Sequence, residues 1–431
     1  MIFTLDETHS PKRNSFITSA QSQTTEFPIQ NLPFAVAQNG NRNSIMVGIG
    51  DLLFNLSAFC EAHSQAIDIP SVTCSALLHS DMSKLMNLSF SQLLTLRHSI
   101  SNLLCESSVH KDKILAHCSP IAQAQFVLPT IIGDYTDFYA SYYHAQTVGK
   151  MFRPDQPLMP NYVHVPIGYH GRSSSIRVSP SIVKRPKGQI KNPDQPLPTY
   201  SSTAKLDFEV ELGIFIRGGN QLGEPIPIES AEEYIFGYCL LNDWSARDIQ
   251  SWEYQPLGPF LGKSFATTIS PFVITGFALT PFFVAHKRIA GLPSTLPYLT
   301  KEPSLIPDIS ITASILSPML RKTSSSPKVI CKTNNSFLLW TPAQCIAHHS
   351  SNGCNLQSGD LLGTGTISGP EPSQAGSLLE LTANGKTPIA ISNDEGRTFL
   401  LDGDSVLLKA TCTANQAVSI GFGEAFATIE P

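Results

Sequence analysis

Short segments in which apolar and polar residues alternate fill most of the chain after residue 129. Such alternation is typical of β-strands, whose successive side chains point to opposite faces. Gly and Pro separate these segments, and 32 of the 431 residues are Pro, more than the average of about 5%. The pattern therefore predicts strands joined by turns, in residues 174–178, 206–216, 330–332, 377–381, 405–408 and 417–420.

The chain before residue 129 has a different pattern. Residues 1–40 are polar, residues 45–50 have the apolar character of a strand, and residues 80–105 place apolar side chains at helical spacing. Acidic and basic residues rarely cluster there. We therefore expect an N-terminal domain of residues 1–128 and a larger, mainly β domain of residues 129–431 that carries the chemistry.

Composition narrows the classes of protein to consider. The chain has 29 Lys and Arg against 34 Asp and Glu, a formal net charge of −5. Nucleic-acid binding needs clustered positive charge, so this balance argues against it. The most apolar run, residues 271–285, is interrupted by Gly276 and Pro281, and no basic, apolar leader is present, so we expect neither a membrane span nor secretion. Nine Cys without a Cys-x-x-Cys pair indicate buried thiols in a reducing cytoplasm.

The alternating segment 206–216 carries three acids on one face. Asp207, Glu209 and Glu211 share that face, and apolar residues occupy the other. Same-face neighbours on a strand are about 7 Å apart, so two carboxylates can reach one ion between them. A solvated acidic face is the more common explanation of such a pattern.

A second group of candidates follows an apolar segment that ends at Asp243. Ser245 and Asp248 have the spacing of a capping box that opens a helix, and Arg247, Gln250 and Tyr254 would then share one helical face. A loop rich in Pro and Gly, residues 255–264, follows and delivers Lys263. A surface helix of mixed polarity explains the same spacing.

The third group lies in residues 133–145. If this segment is helical, Asp137 and His144 are two turns apart on one face, although an isolated His is more often structural. His348 and His349 lack further ligands at zinc spacing, and neither Gly218-Gly219 nor residues 363–366 continue as a phosphate loop. Acids without Cys or His ligands favour a hard cation, Ca²⁺ or Mg²⁺.

Six strings together resemble the fumarylacetoacetate hydrolase family: residues 132–139, 168–176, 242–250, 256–264, 348–355 and 399–404. The likeness extends from about residue 27 to the end of the chain. It implies hydrolysis of 4-fumarylacetoacetate to fumarate and acetoacetate, the last step of tyrosine and phenylalanine degradation. It also implies an N-terminal SH3-like barrel, a C-terminal mixed β-sandwich roll, a homodimer and a cytoplasmic location.

The same resemblance implies a role for individual residues. Matched by position, the Ca²⁺ ligands are Asp137, Glu209, Glu211 and Asp243, and a second cation site for Mg²⁺ uses Lys263 and Thr267 beside Asp243. His144 matches the general base, Glu380 its orienting partner, and the groups that stabilise the oxyanion are Arg247, Gln250 and Lys263. The substrate contacts are Tyr139, Arg153, Tyr169, Gln250, Tyr254 and Thr366.

Departures from the family pattern lie beside these positions, at Tyr142, Tyr143, Thr147 and Ala266. Two other functions stay open. One is another enzyme of this fold, an acylpyruvate hydrolase or an oxo-acid hydratase or decarboxylase; the other is a non-catalytic, Ca²⁺-stabilised binding protein. The hydrolase hypothesis requires that the four acids converge on one cation, with the imidazole of His144 beside them and one ring nitrogen open to solvent.

Overall fold

The computed structural model describes residues 3–431. Its N-terminal part holds a five-stranded antiparallel sheet with the strand order β4-β3-β2-β1-β5. The strands are β1 Phe34–Asn39, β2 Arg42–Ile49, β3 Leu52–Asn55, β4 Cys118–Pro120 and β5 Phe126–Val127. The helices are α1 Leu56–His63, α2 Ser71–Leu77, α3 Ser83–Met86, α4 Phe90–Leu104 and α5 Lys111–Leu115. That this part is an SH3-like barrel stays a prediction.

The chain from residue 135 onward consists mainly of strands. These are β6 Tyr135–Phe138, β7 Gly168–His170, β8 Ile176–Val178, β9 Ser181–Lys184, β10 Lys187–Ile190, β11 Thr199–Ser202, β12 Leu206–Asp207, β13 Val210–Ile216, β14 Ile235–Asp243, β15 Ser245–Ala246, β16 Thr267–Ile269, β17 Ile274–Thr275, β18 Phe283–Ala285, β19 Leu305–Pro307, β20 Ser310–Leu316, β21 Lys328–Asn334, β22 Leu361–Gly363, β23 Ile389–Ala390, β24 Gly396–Arg397, β25 Ser405–Cys412 and β26 Ile420–Glu430. The helices are α6 Tyr142–Phe152, α7 Arg247–Glu253, α8 Pro318–Lys322, α9 Pro342–Ser350 and α10 Leu378–Leu381.

Two mixed sheets build this part. The larger has the order β7-β6-β22-β13-β14-β16-β8, with β17 also paired to β14, and its β6–β22 and β16–β8 pairs are parallel. The smaller has the order β21-β20-β25-β26-β9. Strand β14 packs against β25 and β26, so the two sheets share an apolar interior. The prediction of a mainly β protein is confirmed.

Several segments differ from the strands that alternation predicts. Residues 417–419 lie outside the strands, because β26 begins only at Ile420, and residues 174–175 form part of a short 3₁₀ helix before β8. Residues 206–216 form β12 and β13 with a break between them, and both faces are buried, so the acidic face is not a solvated one. Residues 377–381 contain the short helix α10, because the side chain of Ser377 accepts a hydrogen bond from the backbone N–H of Glu380 and caps it. Five residues are too few for alternation to separate a strand from one helical turn.

Apolar side chains from both sides of residue 128 pack into one core. The sheet residues Val36 and Val47 belong to the same cluster as Phe215 of β13 and Phe236 of β14. Between residues 3 and 431 no helix is long and apolar enough to cross a bilayer. All nine cysteines fall within that range and are free thiols, five of them buried and four half-buried.

Candidate active site

Four buried carboxylates converge at the middle of the larger sheet. Strand β6 supplies Asp137, β13 supplies Glu211, β14 ends at Asp243, and Glu209 directly precedes β13. Each of the four residues is at most 4% exposed, and one oxygen from each lies within 4.8 Å of the others. The convergence that the hydrolase hypothesis requires is therefore present.

Two glycines make room for these carboxylates. Gly363 of β22 lies in register with Asp137 on one side and Gly213 on the other. A Cβ atom at Gly363 would lie 2.5 Å from Asp137 Oδ1 and 2.9 Å from Glu211 Oε2. Gly365, at φ +74°, donates its N–H at 3.1 Å to both carboxylates. In the sequence, the spacing of these glycines excludes a phosphate loop but does not indicate that they make room for carboxylates.

The cluster concentrates negative charge in the interior. Burial, together with the neighbouring carboxylates, raises the pKa of Asp137 and of Glu211 well above the ordinary range. Burial also raises the pKa of Asp243. Burial would likewise raise the pKa of Glu209, but Lys263 and Arg247 lower it below its ordinary value. The site thus pays a large electrostatic cost unless positive charge enters it.

The donor set fits a hard divalent cation. Glu211 Oε1 and Asp243 Oδ1 are buried and have no hydrogen-bond partner among residues 3–431, and buried oxygens are rarely left so. Oxygens on opposite sides of one Ca²⁺, each about 2.4 Å from it, are about 4.8 Å apart, and one oxygen from each of the four residues lies within that distance of the others. An all-oxygen set also disfavours zinc and iron.

Lys263 and Thr267 lie next to the acidic cluster. The Lys263 ammonium donates to a Glu209 oxygen and, at 2.5 Å, to Asp243 Oδ2, so its nitrogen is occupied by carboxylates. Thr267 of β16 lies in register with Asp243. Both residues line a cavity of about 210 Å³ next to the acids.

His144 does not share a helix with Asp137, contrary to the spacing argument. Residues 135–138 pair with β7 and β22 as a strand, and α6 begins only at Tyr142, where Ser141 caps it by accepting the N–H of His144. The two side chains nevertheless belong to one site, because His144 lies close enough to act on the pKa of Glu209, which shares the acidic cluster with Asp137. Strand pairing therefore overrode the local helical spacing.

The imidazole of His144 is held by a buried carboxylate. Its Nδ1 lies 2.7 Å from Glu380 Oε2, which also accepts from the hydroxyls of Ser368 at 3.0 Å and Ser377 at 2.7 Å. These contacts, with His144 the strongest, lower the pKa of Glu380 although burial acts to raise it. Glu380 is thus fixed as a carboxylate that orients the ring.

His144 is less exposed to solvent than the hydrolase hypothesis requires. The residue is only 2% exposed, and the ring of Tyr139 stands edge-on at 4.9 Å. Its Nε2 has no hydrogen-bond partner in residues 3–431, so this nitrogen remains able to take a proton. The wall beside it is an aromatic side chain next to charged groups rather than a purely apolar surface.

Helix α7 supplies Arg247 and Gln250. Arg247 Nη1 lies 2.9 Å from Glu209 Oε1 and donates to Gln250 Oε1 at 3.2 Å. The Gln250 amide oxygen is therefore occupied, and its NH₂ group faces away from this bond and can donate elsewhere. The ion pairs with Glu209 and Asp207 raise the pKa of Arg247 despite its burial.

The predicted capping box at the start of α7 is wrong. Ser245 lies in β15, opposite Asp207 of β12, and Ala246 precedes the helix without a side-chain cap. Asp248 instead accepts the Thr203 hydroxyl and, at 2.8 Å, the N–H of Ala204. Pairing with β12 holds Ser245 in an extended conformation, so its hydroxyl does not reach the first helical turn.

Three proposed substrate contacts lie inside the site. Tyr139 stands against His144, and burial together with the charges of Glu380 and Glu209 raises the pKa of its phenol. Tyr169 donates its hydroxyl to Asp243 Oδ2 at 2.8 Å, so it closes one side of the acidic cluster. Thr366, which is 2% exposed, follows β22 and the glycines that bind the acids.

Of the remaining substrate candidates, Gln250 lies beside Arg247 on α7, and the other two lie at the rim. Arg153 ends α6 with an exposed side chain, and its Nη2 donates to the Pro157 carbonyl at 3.2 Å. Tyr254 ends α7 and is 50% exposed. Among residues 3–431 neither side chain forms a hydrogen bond or ion pair with another proposed site residue, although the charge of Arg153 acts on the phenol of Tyr139.

Comparisons with known proteins identify relatives of the whole chain. Residues 30–129 match the family described as Fumarylacetoacetase N-terminal, and residues 135–429 match Fumarylacetoacetate (FAA) hydrolase C-terminal. Three proteins named fumarylacetoacetase are similar over nearly their full length. The Homo sapiens protein is 44% identical, covering 97% of this chain and 99% of that protein. The Dictyostelium discoideum protein is 44% identical, with 95% and 96% covered, and the Arabidopsis thaliana protein is 42% identical, with 94% and 96% covered.

A solved structure shares the fold. The fumarylacetoacetate hydrolase from Exiguobacterium antarcticum aligns with a TM-score of 0.52 at 15% identity, covering 93% of this chain and 99% of that chain. At this identity the likeness supports the arrangement of strands and not the roles of individual residues.

Proposed function

The chain belongs to the fumarylacetoacetate hydrolase family, and from this premise we propose how its site hydrolyses fumarylacetoacetate to fumarate and acetoacetate. The observation that carries the proposal is the buried His144–Glu380 pair, joined at 2.7 Å, in the same site as four converging carboxylates. A Ca²⁺-stabilised binding protein needs the carboxylates but has no use for an oriented imidazole. Relatives named fumarylacetoacetase favour this substrate over those of an acylpyruvate hydrolase or an oxo-acid hydratase or decarboxylase.

His144 acts as the general base. Because Glu380 accepts a hydrogen bond from Nδ1, the lone pair of Nε2 is available to take a proton from water. The oxygen of that water attacks the ketone carbonyl carbon of the fumaryl group itself. Collapse of the tetrahedral alkoxide breaks the carbon–carbon bond, fumarate departs with the new oxygen, and the proton goes to the enolate of acetoacetate.

Arg247, Lys263 and the free NH₂ of Gln250 stabilise the negative charge on the alkoxide. All three come from α7 and the loop after it. Arg247 and Lys263 are held in place by Glu209, which both of them contact. Preorganised donors of this kind contribute about 10²- to 10³-fold each to the rate.

The substrate is gripped at its ends by groups that surround this centre. The phenol of Tyr139 keeps its proton and can donate, since burial raises its pKa. Arg153 at the rim presents a guanidinium fork, which matches a carboxylate. Tyr169, Tyr254 and Thr366 complete the set of proposed contacts.

We assign Ca²⁺ to the four carboxylates of Asp137, Glu209, Glu211 and Asp243. A cation held there would supply Lewis-acid polarisation of the substrate carbonyls and positive charge to offset that of the departing enolate. For Mg²⁺ we assign the cavity beside Asp243 that Lys263 and Thr267 line. The Thr267 hydroxyl would be a ligand there, whereas the Lys263 ammonium, which is paired with carboxylates, would balance charge.

The assembly and organisation are part of the same proposal. A homodimer is supported by exposed aromatic side chains on elements that pack together: Trp252 of α7 is 43% exposed, and Tyr200 of β11, the strand paired with β10, is 74% exposed. A cytoplasmic location follows the resemblance. The division into residues 1–128 and 129–431 agrees with family matches that end at 129 and restart at 135.

Product analysis tests the function. The purified protein, loaded with Ca²⁺, is expected to convert fumarylacetoacetate to equimolar fumarate and acetoacetate, followed by loss of substrate absorbance. His144→Ala should lower kcat by about 10²- to 10⁴-fold while binding the same amount of Ca²⁺. Full activity in His144→Ala would remove the base, and absence of these products from the wild-type reaction would refute the function.

Metal analysis tests the ligands separately. Glu211→Gln should reduce bound Ca²⁺, measured by elemental analysis after dialysis, whereas His144→Ala should not. An unchanged metal content in Glu211→Gln would contradict the ligand assignment.

A further inference from the structure

Asp207 is a buried acid for which the mechanism above has no role. The sequence pattern places it on the same face as Glu209 and Glu211, but it is not a member of the acidic cluster. The break between β12 and β13 turns it away. It is 0% exposed, so its charge must be balanced by groups it contacts.

Asp207 holds the guanidinium of Arg247. Its Oδ2 lies 2.9 Å from Arg247 Nε and 2.9 Å from Nη2. The remaining nitrogen, Nη1, faces Glu209 and Gln250. The orientation of the proposed oxyanion group is therefore fixed from behind by Asp207.

Asp207 also holds the first turn of α10, which carries Glu380. Its Oδ1 accepts the N–H of Leu378 at 2.7 Å, and its Oδ2 accepts the N–H of Leu379 at 2.9 Å. Glu380 is the next residue, and it contacts His144 at 2.7 Å. The Asp207 carboxylate thus contacts both Arg247, the proposed oxyanion group, and the first turn of α10, which carries the partner of the base.

We infer that Asp207 is a positioning residue that couples the placement of Arg247 to that of the Glu380–His144 pair. The inference rests on the proposed function for the roles of those residues. Removing the charge of Asp207 takes away an ion-pair partner of Arg247 and weakens the attachment of the α10 backbone. Arg247 and the Glu380–His144 pair then lose their fixed positions relative to each other. Residues that orient catalytic groups in this way typically contribute about 10- to 100-fold to activity.

The chain contains a matched control for the purely structural effect. Asp404 is also 0% exposed and pairs with a buried arginine, with Arg397 Nε at 2.8 Å and Nη2 at 2.9 Å. It also accepts a backbone N–H, from Leu401 at 2.9 Å. None of these partners is a proposed site residue, so Asp404→Asn removes a similar ion pair without touching the site.

The experiment compares Asp207→Asn with Asp404→Asn in the full-length, Ca²⁺-loaded protein. We expect Asp207→Asn to lower kcat by about 10- to 100-fold with KM changed less than about threefold. Asp404→Asn should lower Tm about as much as Asp207→Asn does, but it should change kcat less than about threefold. Asp207→Asn should lower kcat by a smaller factor in a Glu380→Gln background than in the wild-type protein, because the effects of residues that act as a unit are not additive.

A second readout does not depend on turnover. The downfield proton resonance of the His144 Nδ1–H reports its bond to Glu380, and it should shift or broaden in Asp207→Asn and stay in place in Asp404→Asn. Normal kcat and an unchanged resonance in Asp207→Asn, or equal kcat losses in the two variants, would overturn the inference. An inactive wild-type protein would instead refute the proposed function, while the resonance would still decide the positioning role.

Discussion

At Gly363 the absence of a side chain determines whether four acids can meet. A Cβ atom there would lie 2.5 Å from Asp137 Oδ1 and 2.9 Å from Glu211 Oε2, closer than non-bonded atoms approach. The neighbouring strands β6 and β13 are both paired to β22, so the backbone has little freedom to move aside. The two carboxylates would have to rotate away from their common centre.

Gly363→Ala should therefore weaken Ca²⁺ binding by about 10-fold or more, as measured by isothermal titration. We expect a loss of stability of about 1–3 kcal/mol as well, because the added methyl group overpacks the interior. Gly258→Ala is the control, since a Cβ atom there would meet nothing within 4 Å. Equal Ca²⁺ affinities for the two variants would contradict the assignment of the site.

Individual residues of the site were predictable to different degrees. The sequence pattern identified the acidic residues as candidate ligands. The resemblance assigned Asp137 and Asp243 to one cluster, and the structure brings them together. The spacing argument for Asp137 and His144 failed, because it assumed a helix across a strand end. Asp207 could not be separated from Glu209 by alternation alone, since the break between β12 and β13 leaves no mark in the pattern.

At the scale of the element, the N-terminus of α6 supports the base. Ser141 accepts the N–H of His144 at 3.4 Å, donates to the Ser368 carbonyl at 3.0 Å and accepts the Ser368 N–H at 3.3 Å. Ser368 in turn donates to Glu380. The helix cap is therefore connected to both members of the His144–Glu380 pair.

Ser141→Ala should cost about 1 kcal/mol of stability in urea unfolding, and kcat should fall because the base loses its support. Ser89→Ala is the matched control: Ser89 caps α4 and accepts the N–H of Gln92 at 3.3 Å, far from the acids in sequence. It should cost a similar free energy with kcat unchanged. If both variants keep full kcat, the cap serves only folding.

Elements were predictable where the local pattern agreed with the final burial. The alternation in 405–408 lies within β25, and 330–332 lies within β21. The pattern failed at 377–381, where a capped helical turn replaces the predicted strand. It also predicted a single helical stretch over residues 80–105, where the structure has two separate helices, α3 and α4. Short segments leave the choice to tertiary contacts.

At the scale of the whole molecule, strand order creates the site. Asp137 meets Glu211 because β22, more than 200 residues further along the chain than β6, inserts between their strands. Composition and periodicity carry no information about such pairings. Only the resemblance predicted them, because a family's motifs record which distant segments meet.

The same concentration of charge makes the stability of the cation-free protein depend on pH. Asp137, Glu211 and Asp243 have folded-state pKa values above their ordinary 3.8 or 4.5, so the folded chain retains protons that the unfolded chain releases. Their contribution to stability is complete below those ordinary values and is lost as pH rises through the raised ones. Glu209, with a lowered pKa, acts in the opposite direction, and its contribution is lost only as pH falls below 4.5.

Ca²⁺ should remove this dependence, because it supplies the positive charge that protons otherwise provide. Between about pH 5 and about pH 8 we expect Tm to fall in the presence of a chelator and to change little with saturating Ca²⁺. The Ca²⁺-induced rise in Tm should therefore be larger at the higher pH. The corresponding gain in the free energy of unfolding is about 2.7 kcal/mol when Ca²⁺ exceeds its Kd 100-fold. Glu211→Gln should reduce both the fall and the rise, since it removes one of the titrating ligands. A Ca²⁺ effect of the same size at both pH values would show that the ion binds elsewhere than at these carboxylates.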